Sequence, residues 1–227
     1  MPDTKVTDEA AAAALDGSEL WRIVQAAASR KMTVAQLRTY LDTLYPPAIG
    51  IIVGRFYGIG MAYEVSSGTG ATTTANQLRV APWELKKTAT FDQILTEVTT
   101  LVGASNFRLG VWADNGNRYP GALLVDSGVM SGAATGVITA AISPSKVLTP
   151  QMLWFGENAD AAIGFRTAVI IGGNADIMGE PGTFGGTIRQ MFYTLNSTFG
   201  PLPDPFPGGA TVNTSSALIA KILMRAA

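Results

Sequence analysis

FRLGVWADNGNRYPGALLVDSG, residues 107–128, reads as two alternating strands closed on each other by a polar turn. Arg108–Ala113 and Ala122–Asp126 alternate apolar and polar side chains, the period-two pattern of a pleated strand. Between them stand Asn115-Gly116 and Pro120-Gly121, two dipeptides that favour tight turns because they tolerate left-handed or pre-set backbone angles. The same texture runs outward in both directions. Short runs rich in Val, Ile and Thr, punctuated by Gly, Pro, Asn and Asp, recur at a spacing of about ten residues, which suits a sandwich or barrel. Strands are expected at Gly50–Tyr57, Met61–Val65, Gln77–Val80, Phe91–Thr100, Gly136–Ile142, Gln151–Asn158, Ile163–Ile171 and Thr187–Tyr193.

Some segments carry two signals. In TFDQILTEVTTLV, residues 90–102, Phe91, Ile94, Leu95, Val98 and Leu101 recur at helical spacing, and Thr90 with Gln93 fits a capping box. Four threonines and two valines oppose a helix, so a strand is expected, with a helix crossing one sheet end as the alternative. The end of the chain, SSALIAKILMRAA, suits a helix or a last strand. The proline-rich GPLPDPFPGG, residues 200–209, is neither helix nor central strand; it is expected to lie extended on the surface or to cross to a neighbouring subunit. SPSKVL, residues 143–148, is expected as a loop.

Residues 1–48 form a different module, separated by the stiff Tyr45-Pro46-Pro47 from a β-rich domain over 49–227. Thr7 suits the cap of a short helix over Asp8–Leu15. ELWRIVQ and SRKMT then read as a hairpin, and Thr33 with Gln36 opens a helix carrying Val34, Leu37 and Leu41. So small a β-hairpin-helix unit buries little by itself. Leu20, Trp21, Ile23, Val24, Leu37 and Leu41 are therefore candidates for docking on a larger assembly or on sister subunits, with a local mini-core as the alternative.

Composition narrows the function. The formal net charge is -1 and no run of basic residues occurs, so there is no footprint for nucleic acid. Charged residues make up 15% of the chain, against about 25% in ordinary soluble domains. The longest apolar stretch, Ile49–Tyr63, is interrupted by Arg55 and falls short of a membrane helix, so no membrane insertion is expected. Few charges and much apolar surface point instead to burial between subunits. There is no cysteine and no histidine, which removes disulfides, thiolate metal sites, histidine-ligated metals and Ser-His-Asp triads. No cofactor is expected. The start MPDTKVTDEAAAAALDG lacks the basic, apolar pattern of a secretory leader, so synthesis and folding in a cytoplasm are expected.

The remaining chemical motifs are weak. Ser143 and Lys146 match S-x-x-K without its companion motifs, and Pro144 opposes the helix it needs. Asp114 and Glu157, each beside aromatics, are a conceivable carboxylate pair for sugar hydrolysis. Asp114-Asn115-Gly116-Asn117 lacks the spaced acids of a calcium loop. GGNADIMGEPGTFGG, residues 172–186, has no phosphate-binding signature. The hairpin loop is the best candidate for contact with a glycan or receptor. Asp114, Asn115, Asn117 and Arg118 offer donors and acceptors, and Tyr119 offers a ring face, while a solvated turn is the simpler alternative.

The order Arg108-Leu109-Gly110-Val111-Trp112, Pro120-Gly121-Ala122-Leu123-Leu124, Asp126-Ser127-Gly128 resembles a pattern of bacteriophage virion proteins, and Leu148-Thr149-Pro150 with Leu153-Trp154-Phe155 resembles a later strand of theirs. Gln151 stands where that family has glycine, and the aromatic order differs. The N-terminal DGSELWRIVQ…KMTVAQLRTYL is similar to a module at the attachment end of phage fibre and adsorption proteins. The resemblance implies a mainly β chain with a jelly-roll-like antiparallel β-sandwich. It implies a non-catalytic tail-fibre, head-fibre or adsorption component of the virion, commonly a homotrimer, with other virion proteins and a host surface glycan as partners. A carbohydrate-binding module and a polysaccharide depolymerase are the alternatives.

Overall fold

The computed structural model describes residues 20–25, 28–33, 51–59, 64–170, 192–213 and 219–227. The chain divides into two units, Met1–Gly50 and Ile51–Ala227. In the first, β1 (Leu20–Gln25) and β2 (Ala28–Thr33) form an antiparallel hairpin with Leu20 opposite Thr33 and Gln25 opposite Ala28. The helices expected over 8–15 and after Thr33 lie outside the described residues.

The second unit is all β among its described residues and is built from two antiparallel sheets. The six-stranded sheet holds β3 (Phe56–Gly58), β4 (Glu64–Thr72), β6 (Ala89–Thr100), β10 (Gly136–Leu148), β12 (Gly164–Ile170) and β15 (Leu223–Ala226). The seven-stranded sheet runs β14 (Thr211–Asn213), β13 (Phe192–Asn196), β5 (Gln77–Leu85), β11 (Gln151–Ala159), β7 (Asn106–Asp114) and β8 (Pro120–Asp126), with β9 (Met130–Ser131) also on β7.

Alternation decides which side chains meet between the sheets. On β7, Phe107, Leu109 and Val111 face inward; on β11, Leu153, Phe155 and Ala159 do the same. They pack with Phe91, Ile94 and Val98 of β6, Phe165 of β12, and Ile222 and Met224 beside and within β15. Phe107 and Phe165 meet edge-on across the core, with centroids 5.0 Å apart.

The seven-stranded sheet is covered on its other face too. There Leu78 and Val80 of β5, Trp112 of β7 and Trp154 of β11 form a second core with Leu202 and Phe206. Those last two come from the proline-rich segment, which folds back on the chain's own sheet. Trp112 Nε1 donates to the Pro203 carbonyl at 3.0 Å, Phe206 N–H to the Gly121 carbonyl at 2.8 Å, and Leu123 N–H to Asp204 Oδ1 at 2.9 Å. Two glycines make room for this layer. Gly110 and Gly156 are register partners, and a Cβ on either would come within 3.1 Å of the Trp112 ring. A bare backbone pair is the floor on which the indole lies.

The six-stranded sheet is different. Its β10 alternates half-buried and exposed residues, with Val137 and Val147 exposed. Asp92 pairs with Arg225 at 2.6 Å and Glu97 with Arg166 at 2.7 Å, each arginine holding its carboxyl below the usual range. Such half-exposed pairs add little stability.

β6 is a strand along its whole length, as expected, and of the two alternatives for the chain end the strand, β15, is the one present. Other expectations change. β10 runs through 143–148, where a loop was expected, with a register irregularity between Ala141 and Lys146 and a cis bond before Pro144. At Gly50–Tyr57 the strand begins only at Phe56; Gly54 takes a φ of +80° in a turn that returns its N–H to the Ala226 carbonyl.

Candidate functional site

The loop between β7 and β8 sits at one end of the doubly covered sheet. Its last strand residue, Asp114, faces the outer layer and is shared between two jobs. Asp114 Oδ2 accepts from Trp154 Nε1 at 2.9 Å, and Oδ1 accepts the Gly116 N–H at 2.7 Å. Next, Asn115 Oδ1 accepts the Asn117 N–H at 2.9 Å, and Asn115 N–H closes the hairpin on the Tyr119 carbonyl. Gly116 and Arg118 take φ values of +90° and +56°, a region that glycine enters freely and other residues rarely adopt. Asn115, Asn117 and Arg118 are exposed, while Asp114 and Tyr119 are half-buried.

Tyr119 is less available than its sequence position suggests. Its ring meets Tyr193 at 4.8 Å and Phe206 at 5.6 Å between centroids, both tilted towards edge-on. Its hydroxyl donates to the Pro207 carbonyl at 2.7 Å and accepts the Ala210 N–H at 3.1 Å. Tyr119 thus pins the proline-rich segment. Tyr193 donates its hydroxyl to the Arg118 carbonyl, and its phenol is pushed above its ordinary value by burial, then by Tyr119 and Asp114 nearby. The side chains turned outward without a partner among the described residues are the Asn117 carboxamide and the Arg118 guanidinium. A polar ligand would meet these two first.

Asp114 and Glu157 do not form a catalytic pair. Asp114 points to the outer layer, where Trp154 lies. Glu157 is three residues beyond Trp154 on β11, so it faces inward, between the sheets. It is fully buried, and neither carboxylate oxygen has a hydrogen-bond partner. Burial pushes its pKa up to about 8, against the pull of Arg79, its register partner on β5, and of the backbone at Ala220. Sequence reasoning missed this interior polar spot because an acid beside Trp-Phe reads equally well as a rim residue. Ser143 and Lys146 are both exposed on β10 around the cis proline, not on one helix face. No cluster of metal-ligating side chains occurs among the described residues. A concavity of about 410 Å³ lies on the six-stranded sheet and is lined by the paired Glu97 and Arg166 with Leu95, Thr96, Val137, Lys221 and Leu223. Of the candidate docking residues, Leu20, Trp21, Ile23 and Val24 lie on β1, and Leu37 and Leu41 lie outside the described residues.

The Asp114 clamp is testable by stability. Asp114→Ala strands a buried indole N–H and is expected to cost about 1–3 kcal/mol in thermal unfolding, whereas Asp114→Asn keeps an acceptor oxygen and is expected to cost less.

Comparison with protein-family models, with curated proteins and with solved structures gives no match.

Proposed function

We propose that this chain is a non-catalytic structural protein of a bacteriophage virion, a fibre or adsorption component whose jelly-roll-like sandwich works in a homotrimer. The observation that carries the reading is the free edge of the six-stranded sheet. β10 is thirteen residues long, pairs only with β6 among the described residues, exposes Val137 and Val147, and carries a single charge, Lys146. A long, nearly uncharged edge strand invites pairing with another chain unless something covers it. The scarcity of charge along the whole sequence points the same way.

The motif residues support the reading from the side of the fold. Arg108 Nη1 reaches both oxygens of Asp126 at 2.9–3.0 Å, Ser127 Oγ accepts the Leu109 N–H, and Gly128, at φ +70°, returns its N–H to Asp126. The R-L-G and D-S-G parts of the pattern are therefore two halves of one clasp on the β7–β8 hairpin.

Light scattering on the purified full chain tests the proposal. A trimer is expected, weakened by Val137→Lys, which places a charge on the open edge. Labelled protein should also locate to phage particles. A chain that stays monomeric at high concentration ends this reading. It would leave the carbohydrate-binding module, favoured by the outward Asn117 and Arg118, as the one to pursue by glycan-binding measurements on Arg118→Ala.

A further inference from the structure

We propose that the hairpin loop is a self-modifying site, in which Asn115 cyclises onto the Gly116 backbone nitrogen and opens to aspartate and isoaspartate. Asn115 is the only asparagine in the sequence followed by glycine. The three groups that an intramolecular attack needs are already gathered around it. The nucleophile is the Gly116 nitrogen, and its N–H points at Asp114 Oδ1, 2.7 Å away, a carboxylate able to take the proton. The electrophile is the Asn115 carboxamide carbon. Its Oδ1 already accepts the Asn117 N–H at 2.9 Å, so the donor that would steady a developing oxyanion is in place before reaction. The same bond folds the carboxamide back over the main chain that it must join. Gly116 has no side chain, and apart from its two chain neighbours no residue comes within 4 Å of where a Cβ would stand.

The step balances without any outside reagent until the last stage. Asp114 takes the Gly116 proton as the nitrogen lone pair bonds to Asn115 Cγ. The oxyanion on Oδ1 collapses, the Cγ–Nδ2 bond breaks, and ammonia leaves with the proton that Asp114 held. The product is a five-membered succinimide. Water then adds at Cγ to give aspartate, or at the main-chain carbonyl to give isoaspartate, in which the backbone runs through the former side chain. Either product adds a negative charge to the exposed loop. Isoaspartate also lengthens the main chain by one atom and draws the Gly116 N–H away from Asp114.

The test is to hold the intact protein at neutral pH and body temperature and follow the peptide that contains Asn115 by mass spectrometry. A gain of about 1 Da is expected there, together with isoaspartate detected by enzymatic methylation. The comparator is a synthetic peptide spanning Ala113–Tyr119, which has the sequence without the held geometry. The folded chain is expected to react faster than the peptide. Asp114→Asn, which keeps an acceptor for Trp154 and loses the base, should slow the folded chain about a hundredfold. Trp154→Phe, which removes the other partner of Asp114, should preserve the rate in whatever fraction stays folded. Asn115→Gln should abolish the gain at this peptide. A folded chain that reacts no faster than the peptide, or an Asp114→Asn rate equal to the parent's, overturns the proposal.

Discussion

Trp112→Ala is expected to lower the melting temperature of the sandwich by roughly 10 °C and to open residues 200–210 to protease. Trp112 is fully buried on the outer face of the seven-stranded sheet. It lies over the Gly110–Gly156 pair, meets Phe206 edge-on at 5.6 Å, and holds the Pro203 carbonyl through its indole N–H. Truncating a buried tryptophan typically costs about 3–5 kcal/mol, because the two glycines beside it have no side chains with which to fill the cavity. A domain of this size loses about 2–4 °C per kcal/mol. The local effect should exceed the global one. Leu202 and Phe206 would face a hole, while the Tyr119 hydroxyl bonds to Pro207 and Ala210 persist, so the segment should fray from its Pro203 side. Trp112→Phe separates the two contributions, keeping most of the packing and losing the indole bond. Limited proteolysis and near-ultraviolet circular dichroism read the two effects. A protease-resistant variant with an unchanged melting temperature would mean that the proline-rich segment is held elsewhere.

That layer also explains what the sequence did and did not disclose. The β7–β8 hairpin was legible because its turn residues do a specific backbone job and its inner face, Phe107, Leu109 and Val111, alternates cleanly. Its partner face misleads. Trp112 and Trp154 are as buried as their neighbours, and nothing in GPLPDPFPGG says that it supplies the cover. The helical spacing within β6, expected as a strand, has a physical reason. Arg225 pairs with Gln93 and Ala226 with Phe91, so Asp92 is an extra residue on that edge. A bulge of this kind sets the inward Phe91 and Ile94 three residues apart and imitates a helix turn. Beyond it Ile94, Thr96 and Val98 return to period two, and the buried Thr96 satisfies its hydroxyl on the Lys221 carbonyl. In the loop, the exposure of Asn115, Asn117 and Arg118 followed from the turn. The engagement of Tyr119 did not, because its partners lie about 90 residues away in sequence.

Glu157→Gln is expected to stabilise the protein at alkaline pH and to change little in acid. In the folded chain the Glu157 carboxyl sits between the sheets with no hydrogen-bond partner, and burial raises its pKa from 4.5 to about 8. Between those values the folded state keeps a proton that the unfolded state releases, so stability falls as pH rises through this window and levels off above it. The full shift corresponds to about 5 kcal/mol as an upper bound, since each pKa unit is worth about 1.4 kcal/mol. Glutamine has the same shape and never ionises, so it removes that loss. The gain should grow from near zero at acidic pH towards several kcal/mol above pH 8. Arg79 decides how much of it is realised. Its guanidinium is occupied by Gln77 Oε1 and Thr74 Oγ1, both at 2.9 Å, and neither Glu157 oxygen takes a bond from it. Its attraction therefore acts only through space and is outweighed by the cost of burying a charge. Chemical denaturation of parent and variant across the pH range measures the difference directly. Equal stabilities at every pH would mean that Glu157 is ionised in the fold and balanced by Arg79, and a Glu157→Gln variant weaker at neutral pH would make that ion pair a true support of the sandwich.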